Sequence, residues 1–153
     1  MQDKNFIKII NLSRHIEYEI CKWYKTNVDP TTRMAIPKTK GYDIICPAVN
    51  NVEVKFDRLA CSTDNYAIEF EDQRGEKSGI SATTAGEFVI VDDEVVIRAK
   101  LTSLLFVIRD MTDKRLIQMG YTTKEGKRAW GYLVPRKHIL FSPYVEVIER
   151  WFK

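Results

Sequence analysis

The chain is poor in the residues that most enzyme centres are built from. It has three cysteines and only two histidines among 153 residues. Cys21, Cys46 and Cys61 are odd in number, and their spacing fits no zinc or redox motif, which argues against a disulfide framework or a structural zinc. Reduced, buried thiols are the expectation. Neither His15 nor His138 is placed for a Ser–His or Cys–His nucleophile pair, so both are read as structural or surface residues. No apolar run approaches the length of a membrane span, and Met1-Gln2-Asp3-Lys4-Asn5 lacks a signal-peptide pattern. The expectation is an intracellular chain with no membrane partner. Neither sign of charge dominates: the net charge of +3 is mildly basic, compatible with a polyanionic partner without specifying one. Repeats, low-complexity tracts and an interdomain linker are all missing. With 44% hydrophobic and 29% charged residues, the whole of 1–153 reads as one soluble globular domain.

What is present is concentrated in one stretch. Gly41-Tyr42-Asp43-Ile44-Ile45-Cys46 and Asn51-Val52-Glu53-Val54-Lys55-Phe56-Asp57 both read as strands. In the second, Val52, Val54 and Phe56 face one side, and Glu53, Lys55 and Asp57 face the other. The turn formers of Pro47-Ala48-Val49-Asn50-Asn51 join them into a hairpin that brings Asp43 beside Glu53, with Lys55 further along the same face. Two carboxylates and an ammonium in one patch suit a hard cation such as magnesium or manganese, which takes carboxylate oxygens and accepts phosphate oxygens of a substrate. A neighbouring lysine orients the attacking water. The same triplet also describes a cross-strand ion pair on a solvated face, so the surrounding chain has to decide.

Upstream, residues 5–26 read as a helix, with Phe6, Ile9, Ile10, Ser13, Ile16, Ile20 and Trp23 along one stripe. Glu17 sits at the edge of that stripe, where it could look inward over a sheet, and Glu19 lies further round; a solvated helix carboxylate is the default for either. Residues 27–40 form a long connection carrying Arg33, Lys38 and Lys40, whose charges precede the Asp43 strand and suit either phosphate contacts or a plain solvated loop. Downstream, Tyr66 to Glu71 alternates as a third strand, with Glu69 as a further carboxylate near the patch. Ser78 to Gly86 reads as a short helix whose N-terminus offers N–H groups to a phosphate. Phe88-Val89-Ile90-Val91 is a buried strand, Asp92-Asp93-Glu94 an acidic turn, and Val95 to Ala99 another strand. Leu101 to Met111 reads as a helix with Leu101, Leu104, Leu105 and Ile108 inward. Residues 120–134 suggest a hairpin with a basic turn, in which Trp130 and Tyr132 interleave with Lys and Arg as in nucleic-acid grips, or equally belong to the core. A final helix is expected from Ser142 to Trp151, with Pro143 in its first turn.

This order of elements resembles the PD-(D/E)XK nuclease superfamily, and most closely its small phage-type and Holliday-junction-resolvase-like endonucleases. The resemblance is carried by Gly41-Tyr42-Asp43-Ile44, Val52-Glu53-Val54-Lys55-Phe56-Asp57, Asn65-Tyr66-Ala67-Ile68-Glu69-Phe70-Glu71 and Ser78-Gly79-Ile80-Ser81. It spans about residues 5–110, leaving 111–153 as an extension. It implies an α/β fold with a restriction-endonuclease-like αβββαβ core, a mixed central sheet flanked by helices. Asp43 and Glu53 would be metal ligands together with the backbone carbonyl of Val54. Lys55 would position the attacking water, and Glu17, or failing it Glu19, would complete the acidic set. Tyr42 stands where many members carry proline. The implied activity is Mg²⁺-dependent hydrolysis of DNA phosphodiester bonds, with Mn²⁺ as a substitute. Arg33, Lys38, Lys40 and Arg58 are candidates for backbone binding, and the implied assembly is a homodimer. A noncatalytic nucleic-acid-binding protein, or a phage interaction protein retaining the fold, is the alternative.

Overall fold

The computed structural model describes residues 4–120 and 123–153, and side chains within that range except those of residues 4–7 and 9. Helix α1 (Lys4–Asn27) opens the chain. Ile16 and Ile20 of the expected stripe are buried, joined by Cys21 and Tyr24, whereas Ile10 stands exposed. The Phe6 and Ile9 side chains, and Tyr121 and Thr122, lie outside the described residues. The connection that follows contains a two-residue strand, β1 (Arg33–Met34), antiparallel to β2 (Ile44–Ile45). Next, β2 pairs antiparallel with β3 (Val52–Phe56) through Ile44 opposite Val52. The expected hairpin therefore forms, closed by one 3-10 turn (Pro47–Val49) and by Asn50 and Asn51 in the left-handed region.

After β3 come α2 (Ala60–Thr63), β4 (Asn65–Glu71), a 3-10 turn (Gly79–Ser81), β5 (Glu87–Val91), β6 (Val95–Lys100) and α3 (Leu101–Asp110). The chain continues through β7 (Arg115–Met119), β8 (Ala129–Pro135), α4 (Arg136–Leu140) and β9 (Glu146–Glu149). The fold is mixed α/β. A six-stranded mixed sheet has the order β1-β2-β3-β5-β6-β9, with β3 and β5 parallel and the other pairs antiparallel. A second, antiparallel sheet has the order β4-β8-β7.

Strand β5 is buried along its whole length, as its apolar run requires. Its two faces feed two cores. Val89 and Val91 join Val52, Ile44 and Val96 beneath α1. Phe88 and Ile90 join Ile97, Leu104 and Ile108 with Tyr66, Ile68 and Val134 of the second sheet. Within α3, Leu104 and Ile108 are buried while Leu105 is exposed.

Three expectations are corrected. The third strand, β4, does not join the central sheet. The edge of β3 that it would need is taken by β5, and Tyr66 and Ile68 instead share one core with Phe88 and Ile90 while the β4 edge pairs with β8. The short helix after it is a single 3-10 turn, capped reciprocally by Ser78 and Ser81. The final helix is the strand β9: Glu146-Val147-Ile148-Glu149 alternates, and it covers the free edge of β6 from Arg98 to Val95.

Asp92 is fully buried in the β5–β6 turn. Its Oδ1 accepts from the N–H groups of Glu94 and Val95, both at 2.8 Å, and its Oδ2 accepts from Tyr66 at 2.6 Å and Arg136 Nε at 2.9 Å. Burial by itself would push this carboxyl up, but the bonds from Arg136, Tyr66 and the turn hold it below the usual range. The acidic stretch is therefore a hairpin turn that pins the second sheet to the first. Cutting Arg136 to Ala leaves a buried carboxylate short of its cation, and the expected loss is about 3 kcal/mol in urea unfolding. Arg109→Ala, which removes an exposed pair with Asp110, should change the same unfolding free energy by less than about 0.5 kcal/mol.

Candidate active site

Asp43 directly precedes β2, and its backbone is held from both sides: its N–H donates to Val52 O and its carbonyl accepts from Ala35 N, each at 2.9 Å. The Ile44–Val52 register sets it opposite Glu53. Its carboxylate turns toward β3, where Oδ2 accepts the Val54 N–H at 2.8 Å. The Val54 carbonyl leaves the strand on the same side as that N–H. Two residues upstream, Gly41 adopts φ +96, and a Cβ there would fall 2.6 Å from Thr84 Oγ1. Only glycine fits that backbone and that approach. Thr84 N and Thr83 Oγ1 both donate to the Gly41 carbonyl, at 3.0 and 2.7 Å. The segment from Ser78 to Gly86 thus straps the Asp43 loop in place.

The alternation of β3 divides its side chains as expected. Val52, Val54 and Phe56 pack beneath α1. Glu53 and Lys55, in register with Phe88 and Ile90, face the second sheet. There they line a cleft of about 200 Å³ with Ile68, Glu69, Ser78, Gly79 and Ile80. Glu69 is half-buried and accepts a hydrogen bond from the Ser78 hydroxyl. Gly79 is required here as well: at φ +50 its Cβ would lie 2.3 Å from the Glu69 carbonyl oxygen.

Glu17 comes from α1, which is anchored seven residues later. Tyr24 donates to Glu87 at the start of β5, and Arg98 grips Glu87 with two bonds of 2.7 and 2.9 Å. Glu17 itself is half-buried and accepts from Arg14 at 3.1 Å. Burial pushes its carboxyl up, and Asp43 pushes it further. Burial also raises Asp43, against the pull of the Val54 N–H and Arg14. Glu53 feels the most: burial, then Asp43, then Glu17 push it up to about 7, with Lys55 and Thr83 opposing. These three carboxyls, from α1, the β2 loop and β3, therefore form one electrostatic unit. Glu19 belongs elsewhere, with both its oxygens on Lys22 at 3.1 and 3.2 Å.

Among the described residues, no three His, Cys, Asp or Glu side chains converge as a ready-made metal cluster, and Arg14 occupies Glu17. The donor chemistry nevertheless fits a hard cation: carboxylate oxygens only, crowded enough that added positive charge relieves their repulsion. Arg33, Lys38, Lys40 and Arg58 are all exposed. Lys38 and Lys40 lie in the loop that leads to Asp43, and Arg33 lies on β1 beside β2. Arg58 is not brought to this group. It follows the far end of β3, past the bond from Asp57 N to Val91 O. Asp57, expected on the face of Glu53 and Lys55, is buried and accepts the N–H groups of Leu59 and Ala67. Arg14 and Thr83 were missed by sequence reasoning. Arg14 was legible as the partner of Glu17 at i,i+3, but nothing local marks Thr83.

Cys21 and Cys46 are buried thiols, Cys61 is partly exposed, and all three are free. His138 pairs with Asp113 on the surface, and His15 packs edge-on against Phe152. No helix among the described residues is long and apolar enough to cross a membrane. No family model matches the chain, and no characterised protein matches it either.

A carboxyl raised from 4.5 to about 7 keeps its proton better in the folded state than in the unfolded one. Its contribution to stability is therefore full below pH 4.5 and is lost as pH rises through about 7. The whole shift would amount to roughly 3 kcal/mol, and partial solvent exposure reduces this to about 1 kcal/mol. In metal-free buffer, Glu53→Gln should unfold later than wild type at pH 8 by that amount, with the two curves converging by pH 5. Equal curves at both pH values would contradict the crowding of Glu53 by Asp43 and Glu17.

Proposed function

We propose that the chain is a metal-dependent nuclease that hydrolyses DNA phosphodiester bonds, built on a PD-(D/E)XK-type core. The observation that carries the reading is the meeting of Asp43, Glu53 and Lys55 at one end of the β2–β3 pair, with Glu17 of α1 coupled to both acids. The parallel β3–β5 pair beneath α1 supports the same core, although β4 departs from it by leaving the central sheet.

Glu17, Asp43, Glu53 and the Val54 carbonyl would hold a divalent cation, Mg²⁺ or Mn²⁺. When bound, it supplies neutralising charge and polarises the phosphate. The remaining work falls to the chain itself. Lys55 has no carboxylate within ion-pair distance among the described residues, so its three N–H donors are open to the cleft. It orients water toward phosphorus and stabilises charge that develops on the phosphoryl oxygens. Val54 N–H fixes the Asp43 carboxylate so that it need not reorganise. Phe88, Ile68 and Ile80 form an apolar floor that limits stray water. Lys38 and Lys40, on the loop before Asp43, would take up flanking phosphates.

The test is cleavage of labelled linear, branched and single-stranded DNA with Mg²⁺, Mn²⁺ or EDTA. Cutting is expected with either metal and none with EDTA, with Lys55→Ala and Glu53→Ala each slower by at least about 100-fold. Mg²⁺ should also raise the melting temperature of wild type and leave that of Glu53→Gln unmoved. A folded wild type that binds DNA but cuts no substrate with either metal would leave only the noncatalytic alternative standing.

A further inference from the structure

The second sheet carries a feature that the catalytic reading does not use. The turn after β4 and the β7–β8 hairpin enclose an open cleft of about 370 Å³. Trp130 stands in its wall, and among the described residues no aromatic ring stacks on it and no cation lies over it. Its neighbour in the β8 alternation, Tyr132, is spent differently, packed on Phe70 with ring centroids 4.9 Å apart.

The charges of the cleft do not cancel. Arg74 is neutralised by Asp72 at 3.2 Å, and Asp72 is further engaged by the N–H groups of Arg74 and Glu76. Lys127 and Arg128 have no carboxylate within ion-pair distance among the described residues, and Arg128 is aimed by a 3.0 Å bond to the Gly120 carbonyl. Glu71 is the one acid left against them. Gln118 adds an amide able to donate and accept. An unstacked indole in one cleft with Lys127, Arg128 and the Gln118 amide suits a nucleobase and its phosphates, and the cleft is too small to seat a duplex.

The position of the cleft decides what it serves. Along β4, Glu69 lines the Glu53–Lys55 cleft, and Glu71 lines this one. They are two residues apart, about 7 Å of strand, and the pairing with β8 shifts between them, Glu69 facing Gly131 and Glu71 facing Trp130. That irregularity turns one strand past two adjoining clefts.

We propose that the cleft between the 72–77 turn and the β7–β8 hairpin is a single-stranded nucleic-acid subsite, stacking a base on Trp130 and leading the strand along β4 to Lys55. The last clause rests on the nuclease reading, whereas binding in the cleft does not. The experiment measures anisotropy of labelled oligo-dT, oligo-U and a blunt DNA duplex in EDTA. Wild type should bind a single strand, of either kind, more tightly than the duplex. Lys127→Gln with Arg128→Gln, both exposed, should weaken single-strand binding at least tenfold and flatten the plot of log K against log salt by about 1.4. Trp130→Leu should weaken it about tenfold and leave the salt slope unchanged. Single-strand binding within twofold of wild type, with the same slope, in the folded Lys127/Arg128 variant overturns the proposal, as does tighter binding of the duplex. Strand binding lost in these variants but no cleavage with Mg²⁺ upholds the cleft and removes the nuclease. Cleavage with strand binding untouched by them upholds the nuclease and removes the cleft.

Discussion

The bond from the Val54 N–H to the Asp43 carboxylate joins a loop to a strand at the point where the candidate site is assembled. It works only because β3 is held on both edges, by β2 through Ile44–Val52 and by β5 through five successive parallel pairs. With β3 rigid, its pleat sends Val52, Val54 and Phe56 into the core under α1 and leaves Glu53 and Lys55 no direction but the second sheet. Gly41 completes the constraint. Its left-handed backbone lets Thr83 and Thr84 approach, and that approach stops the Asp43 loop from swinging away.

Such a site works against the stability of the fold that holds it. Three carboxyls that burial raises, with Asp43 pushing up Glu17 and both pushing up Glu53, are poorly placed in the absence of a partner of opposite charge. Elsewhere the fold is held in register by two buried ion pairs that are well satisfied. Asp92 with Tyr66 and Arg136 fastens the second sheet to the β5–β6 turn. Glu87 with Arg98 and Tyr24 fastens α1 to the start of β5 and so fixes where Glu17 can reach. Both pairs are worth little as net stabilisation and much as registration, because a half-satisfied version of either would leave a buried charge exposed to nothing.

Much of this was legible along the chain. Period-2 alternation identified β3 and β4, and the uninterrupted apolar run identified β5. The apolar stripe identified α1, with Ile16 and Ile20 in their expected place, and turn residues joined Asp43 to Glu53. The failures share a cause. Ser142-Pro143 is a good helix start, but Val147 and Ile148 sit beside an open edge of β6, and pairing with that edge outweighs helix propensity. The third strand was read correctly as a strand and wrongly as a member of the central sheet, because partner choice depends on which edges remain free. Leu105 and Ile10 fit their helical stripes and still face solvent.

The sequence by itself determined the local alternatives: which residues alternate, where glycine permits a left-handed turn, and that Glu53 and Lys55 share a face. These follow from backbone geometry and side-chain spacing, which act over a few residues. Only the tertiary structure decided that Glu17 is the α1 acid that feels the Asp43 charge while Glu19 pairs with Lys22, that Asp57 and Asp92 are structural, and that Thr83 reaches across to Gly41. It also decided that β4 leaves the central sheet and carries one cleft beside another. Each of those outcomes depends on which surfaces are left to be buried once the parallel β3–β5 pair has formed, and that competition is settled by the whole chain at once.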